Sequence, residues 1–317
     1  MADELFKAVS MVLNDCVELK WNENMIILCD PQCLNIGEAF YAAGSGKCKE
    51  AVLVMITSRM LDGNEPPCPV ASWIEQFDVA VILTKKSFLY TNACRLATEK
   101  GTRIVSMPGI TKETLAASTC VDWRKLGVST RTVASKISGT RNVKVKSKAG
   151  TDLSFDIAGK KIYVDDGRIA YKGAFGCFPA GEVLVAPVDG TAHGKLVIDS
   201  SFSLCDKLET PLVIHIKDGV VCRVETHECS EQLEKLFTKY LQPLRTLSEF
   251  GVGTLGNARF SGNVFEEVKG RGAIHFALGN NMLIGGNTDV PVHLDGVIQK
   301  PDVWLDNKLW IENGALV

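Results

Sequence analysis

Residues 275–296 read HFALGNNMLIGGNTDVPVHLDG and put two histidines and an aspartate into one short span. If Pro291–Val297 is extended, His293 and Asp295 project to one face and Val292 and Leu294 to the other, because side chains alternate along a strand. His275 sits in the apolar-flanked segment Gly272–Leu278. The glycine-rich link from Gly279 to Asn287 is long enough to fold back and return it to the same place. Two imidazoles and a carboxylate bind a divalent transition metal. A single histidine among apolar residues is ordinarily a packed, hydrogen-bonded side chain. Three residues of the right types together, in a chain with five histidines, point instead to a metal site.

Two further acids stand out by context. Glu182 lies in Phe178-Pro-Ala-Gly-Glu-Val-Leu-Val-Ala-Pro, where a turn delivers a carboxylate to the start of an apolar strand. Glu249 lies in Leu247-Ser-Glu-Phe-Gly-Val-Gly, beside close-packed glycines and apolar residues. A bare carboxylate in either setting is unfavourable unless it is paired or metal-bound. Each alone reads as a turn acid or a backbone cap. With His275, His293 and Asp295 they form a set of three carboxylates and two histidines. Such a set suits one metal with an outer shell, or two metals sharing a bridging acid.

The remaining histidines are weaker candidates. His193, in Asp189-Gly-Thr-Ala-His-Gly, reads as a turn residue that could contact substrate near Glu182, whereas His215 and His227 read as structural or exposed. Glu266 and Glu267 fall in a solvated turn ahead of the His275 segment. Gly-x-Ser-x-Gly and His-Glu-x-x-His are both absent, so a serine or cysteine nucleophile has no local support and no catalytic residue is assigned. Gly46-Lys47 resembles the end of a phosphate-binding loop. Tyr41 stands where that loop needs its first glycine, however, and Cys48 where it needs a hydroxyl. No Gly-x-Gly-x-x-Gly follows the first strand, and dinucleotide binding is unsupported.

The elements that must position this set divide the chain in two. Up to about residue 135, apolar runs alternate with helical patterns: an amphipathic helix over 3–20, strands at 24–29, 51–57, 79–84 and 103–107, and helices at 36–43 and 92–99. Continuous apolar strands between helices predict a parallel, Rossmann-like α/β sheet covered on both faces. Residues 111–136 read as helical and lead out of this domain. From 136 to 317 the texture changes to short strands, at 143–146, 152–155, 168–170, 194–202, 212–217 and 219–224, with one helix at 230–240. The turn dipeptides Asp166-Gly167 and Asp218-Gly219 are hairpin signals. This second domain is expected to be a β-rich α+β domain that carries the metal.

Composition narrows the class. The 317 residues are 46% hydrophobic and 23% charged, with a formal net charge of −2 and no long run of either sign, which argues against a nucleic-acid surface. The start, Met-Ala-Asp-Glu, is acidic where a secretory signal is basic, and no apolar run reaches 18 residues, so a cytoplasmic protein with no membrane partner is expected. The eleven cysteines are odd in number and scattered, with no Cys-x-x-Cys pair; they read as reduced thiols rather than a disulfide framework.

Four ordered blocks carry a family resemblance: Gly181–Pro187, Ser248–Gly253, Ala273–Gly279 and Val292–Val297. Together they resemble the aminopeptidase T and aminopeptidase S family of metallo-exopeptidases. That resemblance implies two zinc, cobalt or manganese ions held by Glu182, Glu249, His275, His293 and Asp295, a metal-activated water, removal of N-terminal residues from small peptides, and a homodimer. Those peptidases have a tyrosine shortly after the first histidine, whereas here Asn280, Asn281 and Met282 follow His275. The same blocks are similar to the 2,5-dihydroxypyridine dioxygenases, which implies one Fe(II) held by His275, His293 and Asp295 as a facial triad and a small heteroaromatic substrate. Retention of both Glu182 and Glu249 favours the hydrolase as the leading expectation. The ring-opening dioxygenase is the alternative.

Overall fold

The computed structural model describes residues 2–317 and divides into two compact units. One comprises the residues up to Val128 together with Asp165–Ala180, and the other Ser129–Val164 together with Gly181–Val317. The chain therefore passes between units at 128/129, 164/165 and 180/181, where the sequence suggests a single boundary after residue 135.

The first unit is built on five parallel strands: β1 (Asn24–Cys29), β2 (Glu50–Met55), β3 (Val79–Leu83), β4 (Arg103–Ser106) and β5 (Phe175–Cys177), in the order β2-β1-β3-β4-β5. β3 and β4 are buried along their whole length, and the unbroken apolar run of β3 is what a strand covered on both faces requires. β2 departs from its sequence reading as a buried strand. It lies at the sheet edge, with Val52 and Met55 exposed. β5 was also not foreseen: the expected strand at 168–170 is irregular, and the chain joins the parallel sheet a few residues later. Helix boundaries follow local chemistry. In Asn92–Lys100, the Thr91 hydroxyl accepts from the Cys94 N–H at the start, and Gly101 ends the helix at φ 106°. Burial pushes the Cys16, Cys33 and Cys94 thiols up to about 12, so these cysteines serve as packing groups and not as nucleophiles.

The second unit contains two sheets. Eight strands, among them Asn142–Lys146, Asp152–Asp156, His193–Ile198 and Leu212–Lys217, form one sheet whose resolved pairings are antiparallel. Leu212–Lys217 and Val220–Val224 meet in a hairpin through Asp218 (φ 52°) and Gly219 (φ 76°), the left-handed pair that the Asp-Gly signal predicts. The other sheet has seven strands. At its centre are β6 (Glu182–Val185), β7 (Leu247–Gly253), β8 (Ile274–Gly279) and β9 (His293–Ile298), in the order β9-β8-β7-β6, flanked by Ser201–Phe202 beside β9 and Ile162–Asp165 beside β6. The two sheets pack through aromatic rings: Phe155 lies 5.2 Å from Phe250 and 5.6 Å from Phe276, and those two are 5.4 Å apart. Cys205 and Cys229 form a disulfide, which corrects the expectation that all cysteines are free thiols; the pairing joins residues 24 apart, a proximity set by the fold. Among the described residues, no helix is long and apolar enough to cross a membrane.

Candidate metal centre

Strand register brings the candidate ligands together. β7, β8 and β9 pair antiparallel, with Gly251 opposite His275, Glu249 opposite Ala277, and Ala277 in turn opposite Asp295; β6 adds Glu182 opposite Gly253. Residues two apart share a face, so Glu182, Glu249, His275, His293 and Asp295 all lie on the side away from the phenylalanine cluster. Small residues on that face make the room. A Cβ at Gly251 would sit 2.0 Å from Cε1 of His275, so the imidazole lies directly over the glycine. The bulge in β7 lies between Leu247 and Glu249, so alternation runs unbroken from Glu249 through Gly251 to Gly253.

The cluster is buried and dense in electron-pair donors. His275 Nε2 is 3.2 Å from Glu249 Oε1 and 3.7 Å from Glu182 Oε2; His293 Nε2 is 3.3 Å from Asp295 Oδ1 and 4.0 Å from Glu249 Oε1. Ligand atoms of Glu249, His293 and Asp295 all lie within 4.8 Å of one another. Among the described residues, the buried His275 Nδ1 and Glu182 Oε2 have no hydrogen-bond partner. Buried polar atoms are ordinarily satisfied, and three carboxylates crowd two imidazoles. The donor set therefore fits a divalent cation.

Orientation comes from the backbone. The Nδ1–H of His293 donates to the Asn280 carbonyl at 2.7 Å, which turns Nε2 toward the acids. Asn280 is itself fixed, since its amide donates to the Val290 carbonyl and its Oδ1 accepts from the Met282 N–H. Asn281 donates to the Ser248 carbonyl and accepts from the Thr288 N–H, so the loop after β8 is stapled to β7. Asp295 is held by its main chain: its N–H donates to the Ser203 hydroxyl and its carbonyl accepts from the Ser203 N–H.

The charges of the cluster shift one another's titration. Burial alone would lower the His275 and His293 pKa values. For His275, the bond to Glu249 and the charges of Glu182, Glu249 and Asp295 outweigh burial and raise it. For His293, Asp295 and Glu249 raise it to about 9. Burial opposes ionisation of Asp295, yet His293, His275 and Lys269 hold its carboxyl below the ordinary range.

The other sequence candidates fall elsewhere. His193 is exposed at the start of an interior strand of the eight-stranded sheet and contacts Asp218; it is not part of the cluster, because the Asp189–His193 turn leads into the other sheet. His215 pairs with Glu225 on the surface, and His227 reaches the Thr210 carbonyl. Glu266 and Glu267 are buried rather than solvated, binding Arg259 and the Ser200 hydroxyl respectively. One participant was not foreseen: Lys269, 1% exposed, forms an ion pair with Glu182. In the sequence it is one lysine in the turn-like run Glu-Glu-Val-Lys-Gly-Arg, with no local sign of burial.

The fold and the site together define a two-unit α/β protein with a buried candidate metal centre. A family model for NicX, 2,5-dihydroxypyridine 5,6-dioxygenase, matches residues 40–317, and the chain belongs to that family. A curated 2,5-dihydroxypyridine 5,6-dioxygenase from Pseudomonas putida is 23% identical over 190 residues, which is 56% of this chain; the match spans about half, 54%, of that relative's length. Two solved structures share the fold. The 2,5-dihydroxypyridine dioxygenase from Pseudomonas putida has a TM-score of 0.83 at 19% identity, covering 100% of this chain and 98% of that one. AmpT from Thermus thermophilus has a TM-score of 0.72 at 13% identity, covering 99% of each chain. These findings overturn the leading expectation of an aminopeptidase-like metallohydrolase. The four blocks behind it resemble the dioxygenases as well, and the family match falls on the dioxygenase side.

Proposed function

We propose that this chain is a metal-dependent dioxygenase that opens a dihydroxylated nitrogen heteroaromatic ring, with one ferrous ion held by His275, His293 and Asp295 and with Glu249 beside both imidazoles. The observation that carries the reading is the buried donor set on one face of β7, β8 and β9, in a chain of the NicX family. A ferrous ion with only part of its coordination sphere filled by protein would supply open positions for a hydroxylated ring and dioxygen. The chain's own residues do the rest. Asn280 fixes the His293 tautomer, Ser203 fixes the Asp295 backbone, and Gly251 leaves space for the His275 ring. Burial of all three ligands excludes bulk water from the donors.

The test is oxygen uptake by protein loaded with Fe(II) under nitrogen. Addition of 2,5-dihydroxypyridine is expected to consume one dioxygen per ring, with loss of the aromatic absorbance and both oxygen atoms retained in the product. Turnover of aminoacyl amides without oxygen uptake would overturn the proposal.

A further inference from the structure

Among the described residues, Lys269 is the one buried cation paired with an acid of the cluster, the metal reading does not use it, and its placement is built in. Its carbonyl accepts from the Leu255 N–H at 2.8 Å, its N–H donates to the Glu266 carbonyl at 3.2 Å, and Leu255 forms a parallel bridge with Gly270. This backbone crosses directly above the ligand face: a Cβ on Gly253 would lie 2.2 Å from the Gly270 carbonyl oxygen and 2.6 Å from the Lys269 carbonyl carbon. The Phe260 ring closes over Gly270 from outside, 2.5 Å from where a Cβ would stand. The side chain is thereby directed onto Glu182 Oε1.

We infer that the Lys269 ammonium stands where a second divalent ion would otherwise sit against Glu182, and so limits this cluster to one metal. The inference rests on reading the cluster as a metal centre. Geometry supports it first. Two-metal sites hold ions about 3.5–4 Å apart and need a carboxylate on each, and Glu182, the acid farthest along the face from Asp295, already has an ammonium in direct contact. Charge supports it second. Glu182, Glu249 and Asp295 are three buried carboxylates against one buried ammonium. With neutral imidazoles, a surplus of two negative charges remains, which one divalent ion cancels. A second ion would leave an uncompensated buried positive charge.

The experiment counts cobalt(II) per chain by elemental analysis after loading and desalting, with the electronic spectrum used to set aside thiolate-bound metal. The wild type, Lys269→Arg and Glu182→Gln are each expected to hold one ion, because arginine keeps the cation and Glu182 is not a ligand of that ion. Lys269→Met, which exposes the Glu182 carboxylate to metal, is expected to hold two. Its metal-free melting temperature is expected to fall and to recover with excess cobalt. Adding Glu182→Gln to Lys269→Met should return the count to one and restore the metal-free melting temperature, which keeps the test valid if Lys269→Met alone does not fold without metal. One ion in both the wild type and Lys269→Met, or a count below one in Glu182→Gln, overturns the inference while leaving a one-metal centre standing. Two ions in the wild type overturn the one-metal reading itself, and none overturns the metal centre.

Discussion

The two faces of the sheet formed by β6 to β9 are made from the same strands and do opposite work. One face presents Phe250, Phe276, Leu278 and Leu294, and two of its rings pack against Phe155 of the neighbouring sheet. The other presents Glu182, Glu249, His275, His293 and Asp295 over Gly251, Gly253 and Ala277. Both faces are buried, so burial does not separate core from site. Residue type does: one face holds side chains that gain from leaving water, and the other holds groups that tolerate burial only when paired or metal-bound. A one-residue slip would exchange the faces, and the packed rings oppose such a slip. The apolar face thereby fixes the register on which the polar face depends.

Substitutions on the two faces should separate cleanly. The largest effect is expected for His275→Ala or Asp295→Ala, which should reduce metal content to background while circular dichroism stays that of the folded protein; undiminished metal in both variants would break the assignment. On the opposite face, Phe276→Ala is expected to lower stability by about 3–5 kcal/mol, measured by denaturant unfolding. The fraction that remains folded should bind metal at the wild-type count, and selective loss of metal there would show that the faces are not independent. Gly251→Ala tests the boundary between them. The added methyl overlaps the His275 ring, so metal affinity should fall by about 10–100-fold, the range seen when groups that support a ligand are disturbed, with a smaller change in unfolding free energy.

The mildest perturbation is pH. A metal takes the neutral imidazole, and His293 holds its proton up to about pH 9 in the metal-free site, with His275 also raised. Apparent metal affinity should therefore climb by about tenfold per pH unit for each proton displaced and level off above about pH 9, with proton release detectable by calorimetry in buffers of different ionisation enthalpy. In the metal-free protein the sign reverses. The raised pKa of His293 stabilises the fold fully below the ordinary value of 6.5, and that contribution is lost as pH rises through about 9. A pH-independent affinity would mean that the imidazoles are not ligands.

Much of this was legible in the sequence because it is periodic and local. The unbroken run at Val79–Leu83 declares a covered parallel strand. Alternation through His293-Leu-Asp puts both candidate ligands on one face, and Asp218-Gly219 marks its hairpin. What was not legible depends on contacts distant in the chain. Lys269 looks like a solvated lysine until Gly253 lets its backbone cross the sheet. The return of Asp165–Ala180 to the first unit, the Cys205–Cys229 pairing and the diversion of His193 to the other sheet are likewise set by tertiary placement. In the sequence, the same four blocks resemble both hydrolase and dioxygenase families; the family match favours the dioxygenase side.

The most direct test of the central claim is anomalous diffraction at the iron edge from crystals loaded with Fe(II) under nitrogen. The account predicts one peak per chain on the polar face of the sheet, in contact with His275, His293 and Asp295 and separated from Glu182 by Lys269. Two peaks with one bound to Glu182, or no peak on that face, would contradict it.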